Sequence, residues 1–369
     1  MSGRVSVLVV VSVLGVAACG DNRGGGGGGD GGAVDAGEEP TVLRVQARGA
    51  VERLASMYTQ GLGLYGFRWW NSANALEAVI DYSVLSGDDE FAWHAPNTFE
   101  VNEEGEFINE LYDDEGWWAL TWMKAYDMTG DARYLAMSEV IFEDIAGGWD
   151  DECGGGVWWS KDRDYKNAIT NELFLTIAAR LYVRTEKAEY LDWAEQEWAW
   201  FEASGMLNGD GLINDGLDDA CANNGQTTWT YNQGVVLGGL VALAEANGDE
   251  SLVEVAEAIA DAAIAAELLV GEDGVLVEPC EPDCGGDGPQ FKGVFMRNLS
   301  ALRVALEERG DKYEGFIARQ AESIREHATS EFDEIGLMWA GPFDEPDVAR
   351  QGAGMDAINA ALALELAAE

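Results

Sequence analysis

The chain has 369 residues, 47% of them hydrophobic, enough to bury one large core. Its 68 acidic side chains against 22 basic ones leave a formal net charge of -46. A polyphosphate backbone or any other polyanion is repelled, so nucleic acid and anionic substrates are excluded as partners.

The first residues carry targeting signals. Met1 to Arg4 is short and basic, and Val5 to Ala18 is an apolar run too short to span a membrane, which together predict a signal peptide over residues 1–18. Val16-Ala17-Ala18-Cys19 has the form of a bacterial lipobox, with Cys19 as the lipidated first residue of the mature chain. Residues 19–40 are rich in Gly and Asp, cannot build a core and read as a flexible tether. Residues 41–369 remain for one folded domain. The expected setting is the bacterial cell envelope, facing the cell surface or the periplasm, with the lipid as the only membrane contact. A monomer is expected, and no cofactor or metal.

Besides Cys19 the chain holds Cys153, Cys221, Cys280 and Cys284, an even number in an exported protein. Cys280 and Cys284 are close enough for a local clip, which leaves Cys153 for Cys221. A zinc site is the weaker alternative, since there is one close Cys pair and His94 and His327 lie far from it. The acidic, Gly-rich segment Asn208 to Gly225 faintly resembles a calcium loop but lacks the regular ligand ladder.

From residue 41 onward the apolar spacing predicts about twelve helices and no convincing alternating strand. A turn signal recurs between them, at Gly87-Asp88, Gly130-Asp131, Gly248-Asp249 and Gly310-Asp311, with Thr185-Glu186 at the equivalent place in the third unit. The paired helices differ in kind. Thr227 to Ala244 carries no charge, whereas Ser251 to Leu269 sets Glu254, Glu257, Asp261 and Glu267 around an apolar stripe. Gly116 to Tyr126, with Lys124 as its only charge, is likewise followed by the amphipathic Ala132 to Ala146. Inner and outer helices alternating about six times predict an all-α (α/α)6 toroid.

If the inner helices run the same way, their N-termini share one face. The residues expected there include Arg68-Trp69-Trp70-Asn71, Asp113-Asp114 with Trp117-Trp118, Tyr165-Lys166-Asn167, Tyr231-Asn232-Gln233, Gln290-Phe291-Lys292, and Gln351 to Asp356. Aromatic rings beside amides and carboxylates suit a carbohydrate cleft. Hydrolysis of a glycosidic bond needs two carboxyl groups, one as acid and one as nucleophile or base. Asp113 and Asp114 are the candidates, because they open a nearly charge-free inner helix and two Trp follow closely. The helix dipole favours an ionised carboxylate there, while a neighbouring carboxylate and burial against Trp favour a retained proton. Acidic doublets also occur at Asp88-Asp89, Asp150-Asp151 and Asp218-Asp219, where capping and solvation account for them.

The matching stretches Trp70-Asn71-Ser72-Ala73-Asn74-Ala75-Leu76, Tyr112-Asp113-Asp114-Glu115-Gly116-Trp117, Gly148-Trp149-Asp150-Asp151, Thr230-Tyr231-Asn232-Gln233-Gly234 and Phe291-Lys292-Gly293-Val294-Phe295-Met296-Arg297 make the chain resemble glycoside hydrolase family 76, the endo-α-1,6-mannanases. The resemblance spans nearly all of residues 45–366. It implies an α-mannan substrate and a retaining mechanism with Asp113 as nucleophile and Asp114 as general acid/base. Trp70, Asn71, Trp118, Tyr231, Asn232, Gln233 and Asp356 are the expected substrate contacts. The alternatives are a mannan transglycosylase with the same site, another (α/α)6 glycan enzyme, and a glycan-binding lipoprotein without activity. An epimerase would need paired histidines, and a binding protein would be expected to have lost the carboxylate pair.

Overall fold

The computed structural model describes residues 39–369; the expected signal peptide, Cys19 and all but the end of the tether lie outside them. Six inner helices form a closed ring: α2 (Trp69–Ser86), α4 (Tyr112–Thr129), α6 (Ala168–Thr185), α8 (Thr230–Asn247), α10 (Phe291–Ala305) and α12 (Val348–Ala367). Each packs on the next, and α12 packs back on α2. Around them lie the outer helices α1 (Val42–Ser56), α3 (His94–Asn102), α5 (Ala132–Ala146), α7 (Ala188–Ser204), α9 (Ser251–Ala265) and α11 (Glu314–Ser323). This is the expected (α/α)6 toroid. The outer helix α1 packs on α12, so the two ends of the folded chain close the ring.

The sorting follows polarity. Helix α8 buries residues on all sides, including Thr230, Asn232 and Gln233, whereas α9 buries only one stripe, from Leu252 and Val253 to Ala263. Inner helices approach one another closely: a Cβ on Gly293 of α10 would lie 2.4 Å from the backbone of Ala353 in α12. Three of the predicted turns are left-handed helix ends, with φ of 69° at Gly87, 72° at Gly130 and 78° at Gly248. Glu186 adopts the same conformation without being glycine, at φ 55°. Gly310-Asp311 departs from the series, because it lies inside the 3-10 stretch Glu307–Tyr313 and its φ is not positive.

The strands missing from the sequence pattern are very short, and they organise the loops that lead into the inner helices. Tyr58–Thr59 pairs with Leu64–Tyr65, and isolated bridges join Trp149 to Val157, Leu207 to Ile213, Val270 to Leu276 and Thr329 to Ile335. In each of these five turns a buried residue donates its backbone N–H to a helix side chain. Tyr65 donates to Ser72, Val157 to Asn171, Ile213 to Gln233, Leu276 to Gln320 and Ile335 to Gln351, over 2.7–3.0 Å. The same side chains return a bond to the turn, as Gln233 Nε2 does to the Ile213 carbonyl at 2.8 Å. One side chain thus satisfies two buried backbone groups that the short bridge leaves open.

Among the described residues two disulfides are present, Cys153–Cys221 and Cys280–Cys284, as the spacing predicts. With both sulfurs of the first bonded to each other, the cluster of Glu152, Cys153 and Cys221 has no thiolate to offer a metal. In Asn208 to Gly225 the polar side chains fold their own loop: Asp218 Oδ1 accepts from the amides of Ala220 and Ala222, and Asn208 Oδ1 from those of Asp210 and Leu212. The middle of the ring is ionic. Arg297 lies 2.7 Å from Glu77 and 3.8 Å from Asp356, and Lys124 lies 3.0 Å from Glu77. Among the described residues no helix is long and apolar enough to cross a membrane.

Candidate active site

Asp113 and Asp114 lie in the first turn of α4, with Leu111 as its cap. Consecutive helical positions splay their side chains by about 100°, so each carboxyl group meets different neighbours. Asp113 Oδ2 accepts the indole N–H of Trp159 at 3.1 Å, and its Oδ1 accepts the backbone N–H of Asp114 at 3.0 Å. Asp114 Oδ2 accepts the Asn109 side-chain amide at 2.7 Å. Asn109 is itself fixed, since its backbone N–H donates to Glu115 Oε1 at 3.0 Å and its Oδ1 accepts from Leu111 at 2.7 Å. Glu115 is fully buried and paired with Lys161 at 2.9 Å.

Trp159 reaches the site through a bridge between Leu111 and Ser160, in which Tyr112 donates its N–H to the Trp159 carbonyl at 2.9 Å. The pair of bonds from residues 109 and 159 thus holds the two carboxylates from opposite directions along the chain.

Both carboxyl groups hold their protons more tightly than an ordinary aspartate. Burial and then the charge of Asp114 push Asp113 up to about 7, against the opposing bonds from Trp159 and the backbone. Burial pushes Asp114 up to about 6; Asn109 opposes the shift and the charge of Asp287 adds to it. Burial therefore outweighs the dipole at this helix start, and the group expected to stay ionised carries the larger shift.

An aromatic wall rises beside the pair. Trp70 stacks on Trp117 with centroids 5.8 Å apart and meets Phe291 at 6.3 Å. Phe291 stacks on Tyr231 at 3.8 Å and is met edge-on by Trp229 at 5.7 Å. The Tyr231 hydroxyl is held well above its usual range by burial and then by the charges of Asp215 and Asp113. Asp215 accepts the Tyr165 hydroxyl at 2.5 Å.

Of the expected contacts, Trp70 and Tyr231 stand in this wall. Asn71, Asn232 and Asp356 are buried polar residues on α2, α8 and α12, and Asn71 Nδ2, both polar atoms of Asn232 and both oxygens of Asp356 take no hydrogen bond from the described residues. Such groups are costly unless something else bonds them. Burial also pushes Asp356 up to about 7, with Arg297 opposing.

Two expected contacts are corrected. Gln233 is fully buried and its amide is spent on the Ile213 turn and the Trp229 carbonyl, so it anchors a loop. Trp118 is fully buried in a stack with Trp69, Phe107 and Trp122, so it is core; the ring one residue earlier, Trp117, meets the wall. Gln351 and Lys292, also expected at the mouth, are committed to the Ile335 turn and to Glu281 with the Leu337 carbonyl. Asn109, Trp159, Trp229 and Asp287 were not singled out from the sequence. Asn109 had a local signal, four residues before the doublet, whereas Trp159 and Asp287 arrive through pairing between distant segments.

Comparison with known proteins gives the family. The family model described as Glycosyl hydrolase family 76 matches residues 47–369. The mannan endo-1,6-alpha-mannosidase DFG5 of Saccharomyces cerevisiae is 29% identical over 315 residues, covering 76% of this chain and 67% of that protein. Its counterpart DCW1 from the same yeast is 26% identical over 69% of this chain and 62% of its own length. The chain thus spans about two thirds of the length of these curated relatives. Among solved structures, the GH76A alpha-1,6-mannanase of Salegentibacter sp. HEL1_6 superposes with a TM-score of 0.78 at 24% identity, covering 87% of this chain and 99% of that one. The Lin0763 protein of Listeria innocua gives 0.76 at 25% identity, over 88% and 98%. With the match running through the ring from its first helix to its last, the chain belongs to glycosyl hydrolase family 76.

Proposed function

We propose that this protein is a retaining endo-α-1,6-mannanase in which Asp113 is the nucleophile and Asp114 the general acid/base. The observation that carries the reading is the doublet itself: two adjacent carboxyl groups, both raised toward neutrality, at the mouth of an inner helix beside a wall of five aromatic rings. Its relatives are named mannan endo-1,6-alpha-mannosidases. A variant of the Salegentibacter mannanase with two consecutive aspartates changed to asparagine is described as inactive and was solved with α-1,6-mannotriose.

In this reading the Asp113 carboxylate attacks the anomeric carbon while Asp114 protonates the departing glycosidic oxygen, which breaks the bond and leaves a glycosyl ester on Asp113. Asp114, now ionised, takes a proton from water; the water oxygen attacks the same carbon and releases Asp113. Trp159 and the Asp114 amide fix the plane of the nucleophile. Both carboxyls are raised by burial, and the roles require the proton to sit on Asp114 and the charge on Asp113 once substrate is bound. The ring wall stacks on sugar faces, and Asn71, Asn232 and Asp356, whose side chains keep unused hydrogen-bonding atoms, accept from or donate to hydroxyl groups.

The N-terminal features complete the reading as an exported lipoprotein of the cell envelope, with Cys19 carrying the lipid. The decisive experiment incubates the purified protein with linear α-1,6-mannan. Release of oligosaccharides with retained anomeric configuration is expected, and release of mannose alone, or of nothing, rejects the assignment.

A further inference from the structure

The loop between α9 and α10 does more than connect them. Its base is pinned twice. Glu278, fully buried, accepts the backbone N–H of Thr230 at 3.1 Å and also the Thr230 hydroxyl, so it caps α8 from 48 positions away. Glu281 receives the ammonium group of the buried Lys292, which also donates to the Leu337 carbonyl at 2.7 Å. The Cys280–Cys284 disulfide then tightens the turn, and Gly288 lies against it, since a Cβ there would come within 2.9 Å of Cys280 Sγ.

The tip of the same loop is fastened to the opposite lip of the cleft. Arg68 donates to the Gly286 carbonyl at 2.8 Å, and the indole N–H of Trp70 donates to Asp287 Oδ1 at 3.0 Å. Trp70 in turn stacks on Trp117 and touches Phe291. The one polar atom of the ring that begins the aromatic wall is therefore held by Asp287. The same carboxylate acts on Asp114 by its charge.

We propose that Asp287, presented by the Cys280–Cys284 clip, is a positioning residue of the site: it fixes the Trp70 ring against which substrate stacks and sets a third negative charge beside Asp114. This rests on the reading of Asp114 as acid/base. The two effects separate chemically. Asn at position 287 keeps an oxygen to accept the Trp70 N–H but removes the charge, whereas Ala removes both.

The charge effect predicts that Asp287→Asn moves the limb of the kcat/KM profile set by Asp114, its lower bend, to lower pH by about half a unit and lowers the alkaline-side rate about threefold, because a neighbouring negative charge favours the protonated acid. KM at the optimum stays within about twofold. The ring effect predicts that Asp287→Ala raises KM by about tenfold on α-1,6-mannan oligosaccharides, with Asp287→Glu restoring the limb that Asn shifts. Changing Cys280 and Cys284 together to Ser loosens the loop and reproduces the KM rise of Asp287→Ala. A purely structural loop would lower thermal stability and active fraction without moving either quantity. Unchanged limb in Asp287→Asn together with unchanged KM in Asp287→Ala overturns the proposal.

An arm without substrate keeps this distinct from the mannanase assignment. Carbon-13 NMR titration of the Asp114 side-chain carboxyl in the free protein should show its midpoint fall in Asp287→Asn. If that midpoint does not move, the charge effect of Asp287 fails even where the protein cleaves mannan; if it moves and no mannan is cleaved, the substrate assignment fails alone.

Discussion

The indole of Trp159 donates to the Asp113 carboxylate across 3.1 Å from a position 46 residues further along the chain. That bond favours the ionised carboxylate, in opposition to burial. Trp159→Phe removes the donor and keeps the ring, so the Asp113 midpoint should climb further above about 7. The upper bend of the kcat/KM bell then moves to higher pH and the rate on its acid side falls. At pH 5.5 the loss should be about tenfold, the scale of one hydrogen bond to a charged group. An upper bend and an acid-side rate both equal to those of the parent protein count against the role given to Trp159.

Asp113→Asn and Asp114→Asn each replace a carboxyl by an isosteric amide at a half-buried position. Each should cut mannan cleavage by at least on the order of 10²- to 10⁴-fold, with an unchanged far-ultraviolet circular dichroism spectrum. Near-normal turnover in either variant rejects the assignment of the doublet.

Turnover needs one carboxyl of the pair ionised and the other protonated. With midpoints at about 7 and about 6, activity should form a narrow bell centred between them. Stability has its own direction. Asp113, Asp114 and Asp356, together with Glu115 and Glu278 at about 8, bind protons more tightly folded than unfolded, chiefly through burial. The folded protein therefore holds more protons than the unfolded chain from about pH 4 up to about pH 8, and stability declines as pH rises through that window. Calorimetry at pH 5 and pH 8 checks it: the lower pH should give the higher Tm.

Gln233 and Trp70 should answer differently to truncation. Gln233→Ala strands the buried N–H and C=O of Ile213, which should cost about 2–4 kcal/mol of stability, with KM of the remaining folded enzyme unchanged. Trp70→Ala loses its stack on Trp117 and so lowers Tm somewhat, but unlike Gln233→Ala it should raise KM of the folded enzyme. Chemical denaturation and oligosaccharide kinetics on both variants separate a loop anchor from a substrate platform.

Glu77 sits buried between Arg297 and Lys124. Their charges act against burial and hold its carboxyl below the usual range. Glu77→Gln leaves the guanidinium in the ring interior with the neutral Asn74 oxygen at 2.5 Å and only more distant carboxylates, Asp356 at 3.8 Å among them, so a loss of about 3–5 kcal/mol is expected in urea unfolding. A loss below about 1 kcal/mol would mean that the pair is replaceable by neutral hydrogen bonds.

The ring was legible because an inner helix reads differently from an outer one over a single window: the apolar, uncharged run around Leu237 and Leu240 against the striped run around Ile259. The doublet was legible for the same reason, since its place at a helix start is local. Partner choice was not local. Gln233, Trp118 and Gln351 carry the chemistry of contacts and sit at the right height, but which way each points is decided by a turn or stack that sequence spacing does not encode. Trp159 and Asp287 escaped because a bridge between residues 111 and 160 and a loop pinned to Thr230 and Lys292 bring them in from afar. The left-handed turn at Glu186 was found by period rather than by residue type, whereas the Gly-Asp dipeptide at residue 310 matched by type and differed in conformation.

The packing of α1 on α12 has a consequence for how the molecule assembles. Arg44 pairs with Glu365 at 2.8 Å and with Glu369 at 2.6 Å, so the two ends of the ring are neighbours. Helix α1 also touches α2, and its Arg48 pairs with Asp88 and Glu90, but it packs most heavily on α12, the inner helix furthest from it along the chain, so closing the ring is the contact of longest sequence separation in the fold. The seam is thus a matter of connectivity rather than of shape: a permuted chain joined across residues 42 and 369 and opened at an exposed turn such as Gly248 would carry the same six pairs in a different order of birth.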